Sequence, residues 1–246
     1  MSEYDKMPSV AIVGSGNVAT HLCIALDGKV ELHQVNPHSF EGMPEYAEIV
    51  IISVKDSAIE EVAKRLPGNF NTVCHTSGSV PMSALAGCGN RYGVFYPLQT
   101  FTKGVALDYS EIPFFIEGSS PDVVTTLSSL ARKISENVVE ADSASRKVLH
   151  LASVFACNFS NCLVGIADGL LKESGMDYHV LLPLLRQTIA KLDRLSPQEA
   201  QTGPAARRDM PVINAHIQML KEKGLQNLAE IYQDLSTEII KAGSIN

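Results

Sequence analysis

A glycine turn between a short apolar run and a helical segment constrains the fold of this chain more than any other sequence feature. Residues 10–13 are apolar and strand-like, Gly14-Ser15-Gly16-Asn17-Val18-Ala19 follows at once, and helical spacing continues to Leu26. The turn therefore has the pattern G-x-G-x-x-A, placed directly after a strand and directly at the start of a helix. The sequence predicts that this strand–turn–helix unit opens a parallel α/β sheet.

A turn of this kind in this context is typical of a Rossmann domain that binds a dinucleotide. Gly14 allows the tight turn, Gly16 lets the backbone approach a pyrophosphate, and Ala19 permits close packing of helix on strand. The helix N-terminus offers unpaired N–H groups to the phosphates. A turn that only shapes the loop remains the alternative. The residues expected to contact the dinucleotide here are Gly14, Ser15, Gly16, Asn17, Val18 and Ala19.

Strand-like and helix-like segments alternate through the first 140 residues, which predicts a mostly parallel sheet covered on both faces. The expected strands are 10–13, 32–35, 49–54, 72–75, 93–96, 113–116 and 137–140, and the expected helices are 18–26, 57–66 and 121–135. Beyond Ala141 only helical patterns remain, at 145–174, 178–195, 212–223 and 225–242. The sequence therefore predicts a Rossmann domain at 1–140 and an all-helical domain at 141–246 for substrate binding and dimerisation.

The connection from the second strand to the third is short. Only residues 37–48 join the two strands, and a crossover helix needs about that many residues by itself. We therefore expect a sheet that is abbreviated after its second strand, on the side where the adenosine would lie. Weaker cofactor binding is one consequence.

The residues at the end of the second strand bear on the choice of cofactor. A carboxylate about 20 residues after the glycines would hold the ribose 2′-OH of NAD, but this stretch carries none. Asn36, His38 and Ser39 could instead hydrogen-bond a 2′-phosphate, which favours NADP. As ordinary turn residues they would leave NAD possible.

Three polar segments follow the ends of predicted central strands, where doubly wound sheets bind ligands. Ser53 and Val54 would border the cofactor, and Ser77 and Gly78 its nicotinamide. His75 is the first candidate for proton transfer, although a turn histidine bonded to backbone is an equal interpretation. Tyr96 and Gln99 are candidates for substrate binding, and for Tyr96 a core aromatic with a solvated hydroxyl is the alternative.

The helical region adds polar candidates that must find partners. His150 and Asn158 lie on the first long helix and are the next candidates for catalysis. Arg208 follows a flexible loop and could contact an anionic substrate group. Alternatively, Asp209 caps the next helix and the arginine is solvated.

Composition excludes several classes of function. The net charge of −7 and the absence of a basic stripe argue against nucleic acid. The five cysteines include no C-x-x-C pair, and four of them lie among apolar neighbours, which favours buried thiols over a metal site. No apolar run approaches the roughly 20 residues of a membrane span, and the polar N-terminus does not read as a signal peptide. We expect a cytoplasmic protein with no metal, membrane or nucleic-acid partner.

Several segments together resemble one family over nearly the whole chain. They are GSGNVATHL, IISVKDSAI, CHTSGSV, GVFYPLQTF, PFFIEGS, FACNFSN and QTGPAARRD. The family comprises bacterial Rossmann-like proteins described, without a demonstrated activity, as NADP-dependent oxidoreductases with a C-terminal domain of unknown function. More distantly, the chain resembles 6-phosphogluconate and β-hydroxyacid dehydrogenases, pyrroline-5-carboxylate reductase and prephenate dehydrogenase.

The resemblance implies a homodimer through the helical domain, with NADP in a cleft between the domains. Two departures stand out. The β-hydroxyacid dehydrogenases place a catalytic lysine four residues before an asparagine on the first interdomain helix, whereas here Lys147 is followed by Leu151, and Asn158 by Cys162. The second departure is the short connection described above.

The resulting hypothesis is an NAD(P)-dependent oxidoreductase that moves hydride to or from a small polar substrate. Two rivals stay open. One is a catalytically inactive nucleotide-sensing or scaffold homodimer that keeps the Rossmann fold. The other is a structural homodimer whose glycine turn binds nothing.

Overall fold

The chain divides into two compact units, Met1–Cys162 and Leu163–Asn246. The computed structural model describes residues 7–68 and 70–243. The sequence placed a boundary near Ala141, but the division falls later. The reason is that the first helix beyond Ala141 packs into the first unit through Arg146, whose side chain is fully buried there.

The first unit is built on one seven-stranded sheet in the order β2-β1-β3-β4-β5-β6-β7. Strands β1 to β5 are parallel, as in the predicted Rossmann-type sheet. All seven predicted strands are confirmed, with bounds that differ by at most two residues. The strands are β1 Ser9–Val13, β2 Glu31–Val35, β3 Ile49–Ile52, β4 Thr72–His75, β5 Tyr92–Pro97, β6 Phe114–Gly118 and β7 Val138–Glu140.

Strand β6 reverses the direction of the sheet. It pairs antiparallel with β5, and β7 then pairs parallel with β6. Between β5 and β6 the chain forms one short 3₁₀ turn, Tyr109–Glu111, and no crossover helix. Without a crossover, β6 begins at the same end of the sheet at which β5 finishes. The two strands must therefore run antiparallel.

Helices cover both faces of the sheet. They are α1 Asn17–Leu26, α2 Ile59–Lys64 and α3 Pro121–Ala131. Along β3, Ile49 and Ile51 belong to the core beneath α1 and α3, whereas Val50 and Ile52 belong to the core beneath α2. Alternate residues are thus buried on opposite faces, which explains the continuous apolar run in the sequence.

The connection from β2 to β3 contains no helix, which confirms the predicted abbreviation. The Oδ1 of Asn36 accepts hydrogen bonds from the backbone N–H groups of His38 (2.8 Å) and Ser39 (3.3 Å). Phe40 then adopts a left-handed conformation, with φ 57°, and Gly42 follows with φ 87°. Two tight turns therefore replace the usual crossover helix.

A long helical segment, Ser143–Lys172, follows β7 along the chain. It consists of α4 Ser143–Ser153, a π-helical turn Val154–Phe159 and α5 Ser160–Lys172. An 18-residue window of it has a mean hydropathy of 1.5 and is long and apolar enough to cross a membrane by length and composition. This window departs from the expectation from the sequence that no apolar run approaches the length of a membrane span. None of this window is buried within the described residues, and a single helix of this kind is weak evidence for a membrane.

The second unit is helical, as predicted. It contains part of α5, then α6 Leu182–Lys191, α7 Pro197–Ala200, α8 Met210–Glu222 and α9 Gln226–Ala242. Its core forms between α8 and α9, around Ile213, Ile217 and Ala229. The short helix α7 lies inside the predicted loop 196–211 and is stabilised by a capping box of Ser196 and Glu199.

Candidate functional site

A cleft of about 750 Å³ lies at the carboxyl ends of β1 to β5 in the first unit. The glycine turn forms part of its wall, residues after β2 and β3 form one end, and residues of β5 and α4 form the other. A cleft of this size can hold a small molecule or a cofactor. Its position is the one expected for ligands of a doubly wound sheet.

Gly14 is required by the packing of the turn. Its φ is 149°, and a Cβ atom there would lie 2.0 Å from the backbone oxygen of Ser53. Its N–H donates to the oxygen of Val35 at 3.0 Å. The turn is therefore locked between β2 and β3, and Gly14 has a structural role whether or not a ligand binds.

Gly16 differs from Gly14 because open space surrounds it. A Cβ atom at Gly16 would meet nothing within 4 Å, and its φ of −74° suits any residue. It forms the N-cap of α1 without a side-chain hydrogen bond, and the first turn carries no acidic residue. Backbone N–H groups at a helix N-terminus then face the cleft, an arrangement that attracts phosphate.

The other predicted residues of the turn and of β3 lie where the sequence analysis expected. Ser15, Asn17 and Val18 line the cleft, as do Ser53 and Val54. Asn17 also donates to the oxygen of Phe101 at 2.9 Å and so holds the segment after β5. The Oγ of Ser53 accepts from the hydroxyl of Thr76 at 3.2 Å. Ala19 is fully buried behind the turn, in the packing role predicted for it.

His75 is buried at the end of β4 and does not line the cleft within the described part of the chain. Its Nδ1 accepts the N–H of Ser77 at 3.2 Å, which places the hydrogen of the neutral ring on Nε2. Burial, and then the charge of Arg146, lower the pKa of His75 to about 4. The role in proton transfer stays a prediction, and this geometry favours the alternative interpretation as a turn histidine.

The lowered pKa of His75 predicts a dependence of stability on pH. Between about pH 6.5 and 4 the unfolded chain binds a proton at His75 that the folded chain does not. The free energy of unfolding should therefore fall by roughly 3 kcal/mol across this window as the pH is lowered. Denaturant unfolding of the wild type and of His75→Asn, which keeps a hydrogen-bond acceptor, measures this.

The matched control is His38→Asn, because His38 is exposed. The His75 variant should lose most of the dependence on pH in this window, and the His38 variant should retain it. Equal slopes in all three proteins would contradict a buried neutral His75.

A tyrosine–histidine pair forms the far end of the cleft. The hydroxyl of Tyr96 lies 3.2 Å from Nδ1 of His150, and both residues line the cleft. Burial raises the pKa of Tyr96, which keeps the phenol protonated at neutral pH. A Cβ atom at Gly78 would lie 2.7 to 2.9 Å from side-chain atoms of this pair. The absence of a side chain at Gly78 therefore makes space for the side chains of Tyr96 and His150.

Arg146 fixes the loop that carries Ser77 and Gly78. Its Nε donates to the oxygen of Ser77 at 3.2 Å and its Nη2 to the oxygen of Val80 at 2.7 Å. Nη1 forms an ion pair with Glu117 of β6. The Ser77 hydroxyl accepts from the N–H of Val80 at 3.0 Å and tightens the same turn. Sequence analysis missed Arg146 because its partners are distant along the chain.

At the other end, Pro37 and His38 line the cleft, but Asn36 does not. The side-chain oxygen of Asn36 shapes the turn, and the predicted contact of Asn36 with the cofactor stays a prediction. Sequence analysis also missed Glu61 and Arg65, which line this end from α2 and the residue after it. In the sequence, their i, i+4 spacing indicates an ion pair on a solvated helix face and not a ligand site.

The remaining predicted residues are placed as follows. Gln99 lines the cleft, and its Oε1 accepts from the N–H of Thr100 at 2.7 Å. Asn158 is exposed on the π-helical turn and does not line the cleft in the described structure. Arg208 lies in the second unit, exposed before α8, with φ 53°. Asp209 caps α8 through the N–H of Val212, which was the alternative interpretation of this loop.

Among residues 7–68 and 70–243, no group of three His, Cys, Asp or Glu side chains could hold a metal ion. All five cysteines are free thiols, and because Cys157 and Cys162 are exposed, the prediction that four of the five are buried is wrong. Of the other three, Cys74 is buried and Cys23 and Cys88 are partly buried.

Comparison with known families decides the classification. Residues 112–239 match the family model described as a domain of unknown function, DUF2520. The chain belongs to the DUF2520 family. This confirms the resemblance inferred from the sequence motifs. The matched region of this DUF2520 protein runs from the end of the β5–β6 connection to α9 and includes Arg146 and His150.

Three solved structures that are similar to this DUF2520 protein carry descriptions as oxidoreductases or reductases. A Bacteroides fragilis protein provisionally assigned as an NADP oxidoreductase is 36% identical, with a TM-score of 0.87 and coverage of 96% of this chain and 98% of that one. A reductive aminase from Aspergillus terreus, solved with NADPH and ethyl levulinate, is 14% identical, with a TM-score of 0.69 and coverage of 96% and 94%. No protein of curated function matches the sequence.

An imine reductase from Myxococcus stipitatus, solved with NADP+, is 12% identical, with a TM-score of 0.61 and coverage of 96% and 95%. At identities this low, the two reductases show only that the fold is shared. The shared fold confirms a Rossmann-like region followed by a helical C-terminal part.

Proposed function

We propose that this protein is an NADP-dependent oxidoreductase that transfers hydride to or from a small polar substrate. The observation that carries the proposal is one cleft with a phosphate-type glycine turn on its wall and a tyrosine–histidine pair at its end. The assignment of the Bacteroides fragilis relative supports it, as do the NADPH and NADP+ complexes of the two reductases.

The residues present fit a dinucleotide. Open space around Gly16 and the uncapped start of α1 suit a pyrophosphate. Gly14 and Ala19 hold the turn in place behind it. The cleft then continues past Ser53 and Val54 to Ser77 and Gly78, which would border the nicotinamide, as predicted from the sequence.

The proposed chemistry places proton transfer on Tyr96 and His150. Bound NADPH would supply the hydride. The Tyr96 hydroxyl is protonated at neutral pH and can donate its proton to a developing oxygen or nitrogen anion. Nδ1 of His150 lies 3.2 Å away and can pass a proton from solvent to the phenolate that remains. Gln99 would orient the substrate at the same end. Asn158 and Arg208 do not line the described cleft and stay candidates for catalysis and substrate binding, respectively.

Replacing Gly16 by alanine tests the cofactor site. We expect the wild type to bind NADPH in calorimetric titration, and Gly16→Ala to bind it at least about tenfold more weakly. The added methyl group would occupy the space of the pyrophosphate without straining the backbone. Thermal unfolding of the unliganded variant should therefore match the wild type within about 2 °C.

Gly87→Ala is the matched control, because Gly87 is also surrounded by open space and lies outside the cleft. It should bind NADPH like the wild type. A wild type that binds no dinucleotide at millimolar concentration would refute the proposed function. Unchanged binding by Gly16→Ala would refute the role of the glycine turn.

We further propose that the protein works as a homodimer through its helical region. An apolar stripe on α4 and the π-helical turn supports this: Val148, Leu151, Phe155 and Phe159 are spaced three to four residues apart and 49 to 67% exposed. Exposed apolar stripes of this kind mark interfaces. Five free cysteines suit a reducing cytoplasm, the compartment we propose.

Analytical ultracentrifugation tests the homodimer. The wild type should sediment as a dimer at micromolar concentration, and Leu151→Glu/Phe155→Glu should be monomeric with an unchanged circular dichroism spectrum. The control Lys147→Glu adds acidic charge beside the stripe and should stay dimeric. A monomeric wild type would refute the proposal, and a wild type that sediments with phospholipid vesicles would point to a membrane instead.

The sensor hypothesis makes a different prediction from the enzyme. The shortened β2–β3 connection and the absent lysine–asparagine pair motivate it. A protein that binds NADPH but oxidises it with no carbonyl or imine compound in a broad panel would favour the sensor.

A further inference from the structure

The end of the cleft beside β2 carries a guanidinium group that the proposed chemistry does not use. Arg65 directly follows α2 and lines the cleft together with Pro37 and His38. In Rossmann folds the adenosine ribose lies at the end of the second strand, where a carboxylate selects NAD and a nearby arginine accommodates the 2′-phosphate of NADP. Here the strand end carries no carboxylate, and the arginine comes from elsewhere in the chain.

The guanidinium of Arg65 is held in place by the β2–β3 connection. Its Nη2 donates to the backbone oxygen of His38 at 2.8 Å, and its Cζ lies 5.5 Å from the centre of the Phe40 ring. These contacts fix both the position and the plane of the guanidinium. The side chain nevertheless remains 47% exposed toward solvent, so a ligand can reach it.

The support beneath Arg65 costs conformational free energy. Phe40 has φ 57°, which is unusual for a bulky residue. The conformation is stabilised by hydrogen bonds from the N–H of Phe40 to the oxygen of Asn36 and from the N–H of Met43 to the oxygen of Phe40. Strained residues that surrounding structure maintains are common at ligand sites. Here the strain lies directly beneath the cation.

We infer that Arg65 binds the 2′-phosphate of NADP and makes the cleft selective for NADPH over NADH. The inference rests on the proposed function. Among the charged residues that line the described cleft, Lys55 and Arg65 are the cations, and Lys55 follows β3 rather than β2. Arginine presents two parallel N–H groups to a phosphate and stays charged at all relevant pH values.

Glu61 opposes the phosphate and holds the arginine when none is bound. Its Oε1 lies 3.4 Å from Nη1 of Arg65, and it also lines the cleft. A phosphate would compete with this carboxylate for the guanidinium and would be repelled by it. Glu61→Gln should therefore bind NADPH about two- to tenfold more tightly and NADH unchanged.

The test compares binding of NADPH and NADH by calorimetry in the wild type, Arg65→Ala and Lys64→Ala. Lys64 is the matched control, since it precedes Arg65, pairs with Glu60 in the same i, i+4 geometry, and does not line the described cleft. Arg65→Ala should weaken NADPH at least about tenfold and NADH less than twofold. Lys64→Ala should change both less than twofold. Adenosine 2′,5′-bisphosphate against 5′-AMP gives the same contrast without the nicotinamide.

Two failures are distinguishable. If the wild type binds NADPH and NADH equally, or if Arg65→Ala weakens both equally or neither, the assignment of Arg65 is overturned and the proposed function stands. If the wild type binds neither dinucleotide, the proposed function falls and the assignment falls with it. Should Arg65→Ala unfold, Arg65→Lys keeps the charge and loses the paired N–H groups, and a loss of selectivity for NADPH is expected there too.

Discussion

Replacing Arg146 by alanine is expected to lower the free energy of unfolding by about 3 to 5 kcal/mol. The side chain is fully buried, and its removal leaves the carboxylate of Glu117, which is largely buried, without its cation. It also leaves the backbone oxygens of Ser77 and Val80 without their donors. Each loss carries a desolvation penalty, so the effect should approach the upper range for a single substitution.

The matched control for Arg146 is the surface pair of Arg91 and Asp122, whose side chains are 31% and 71% exposed. Arg91→Ala should cost about 1 kcal/mol or less. The double variant Arg146→Met/Glu117→Leu separates the two roles of Arg146. Buried ion pairs can be replaced by apolar side chains at little cost, but the carbonyl groups of Ser77 and Val80 would still lack donors. A double variant as stable as the wild type would contradict that second role, as would equal costs for Arg146→Ala and Arg91→Ala.

Replacing Tyr96 by phenylalanine is expected to lower kcat by about 100-fold or more, once a turned-over carbonyl or imine compound is in hand. The phenylalanine keeps the ring that packs at the end of the cleft and removes only the proposed acid. Binding of NADPH should therefore stay within twofold of the wild type. Stopped-flow measurement of NADPH consumption, with calorimetric binding alongside, separates the two quantities.

Tyr92→Phe is the control for Tyr96, because Tyr92 lies on the same strand and does not line the described cleft. Its kcat should match that of the wild type. His150→Asn should lower kcat less than Tyr96→Phe does, since His150 is proposed to act through the phenol. Unchanged turnover in Tyr96→Phe would remove the tyrosine from proton transfer and return attention to His75 and Asn158.

The sheet could be predicted because its information is local. Short apolar runs between turns identify the central strands, such as β1 and β3, and the glycine turn after β1 identifies the ligand-binding edge of the sheet. The short β2–β3 connection could be predicted as well, since residues 37–48 are only about as many as a crossover helix needs by itself. The direction of β6 was not predicted, because an apolar run does not indicate whether the strand is parallel or antiparallel to its neighbour.

The missed residues share a different property. Arg146 contacts the oxygen of Ser77 across 69 positions of sequence, and Arg65 contacts that of His38 across 27. Nothing in the spacing of either arginine distinguishes it from a solvated residue on a helix. His75 illustrates the opposite case, since a polar residue at a strand end predicts a site residue, whereas the fold buries it. The burial of a side chain such as His75 depends on the packing of the whole domain and cannot be predicted from a short motif.

The reversal at β6 determines where His150 lies. Because β6 and β7 run away from the ligand-binding edge, the chain reaches the start of α4 at the opposite edge and must travel back. The eight residues from Ser143 to His150 rise about 11 Å, close to the length of a four-residue strand, so the return ends at the cleft. The position of the imidazole therefore depends on the number of residues in α4 before it. One inserted residue would rotate the side chain by about 100° around the helix axis. Four inserted residues would bring it back to a similar direction, but displaced by about 6 Å along the helix axis.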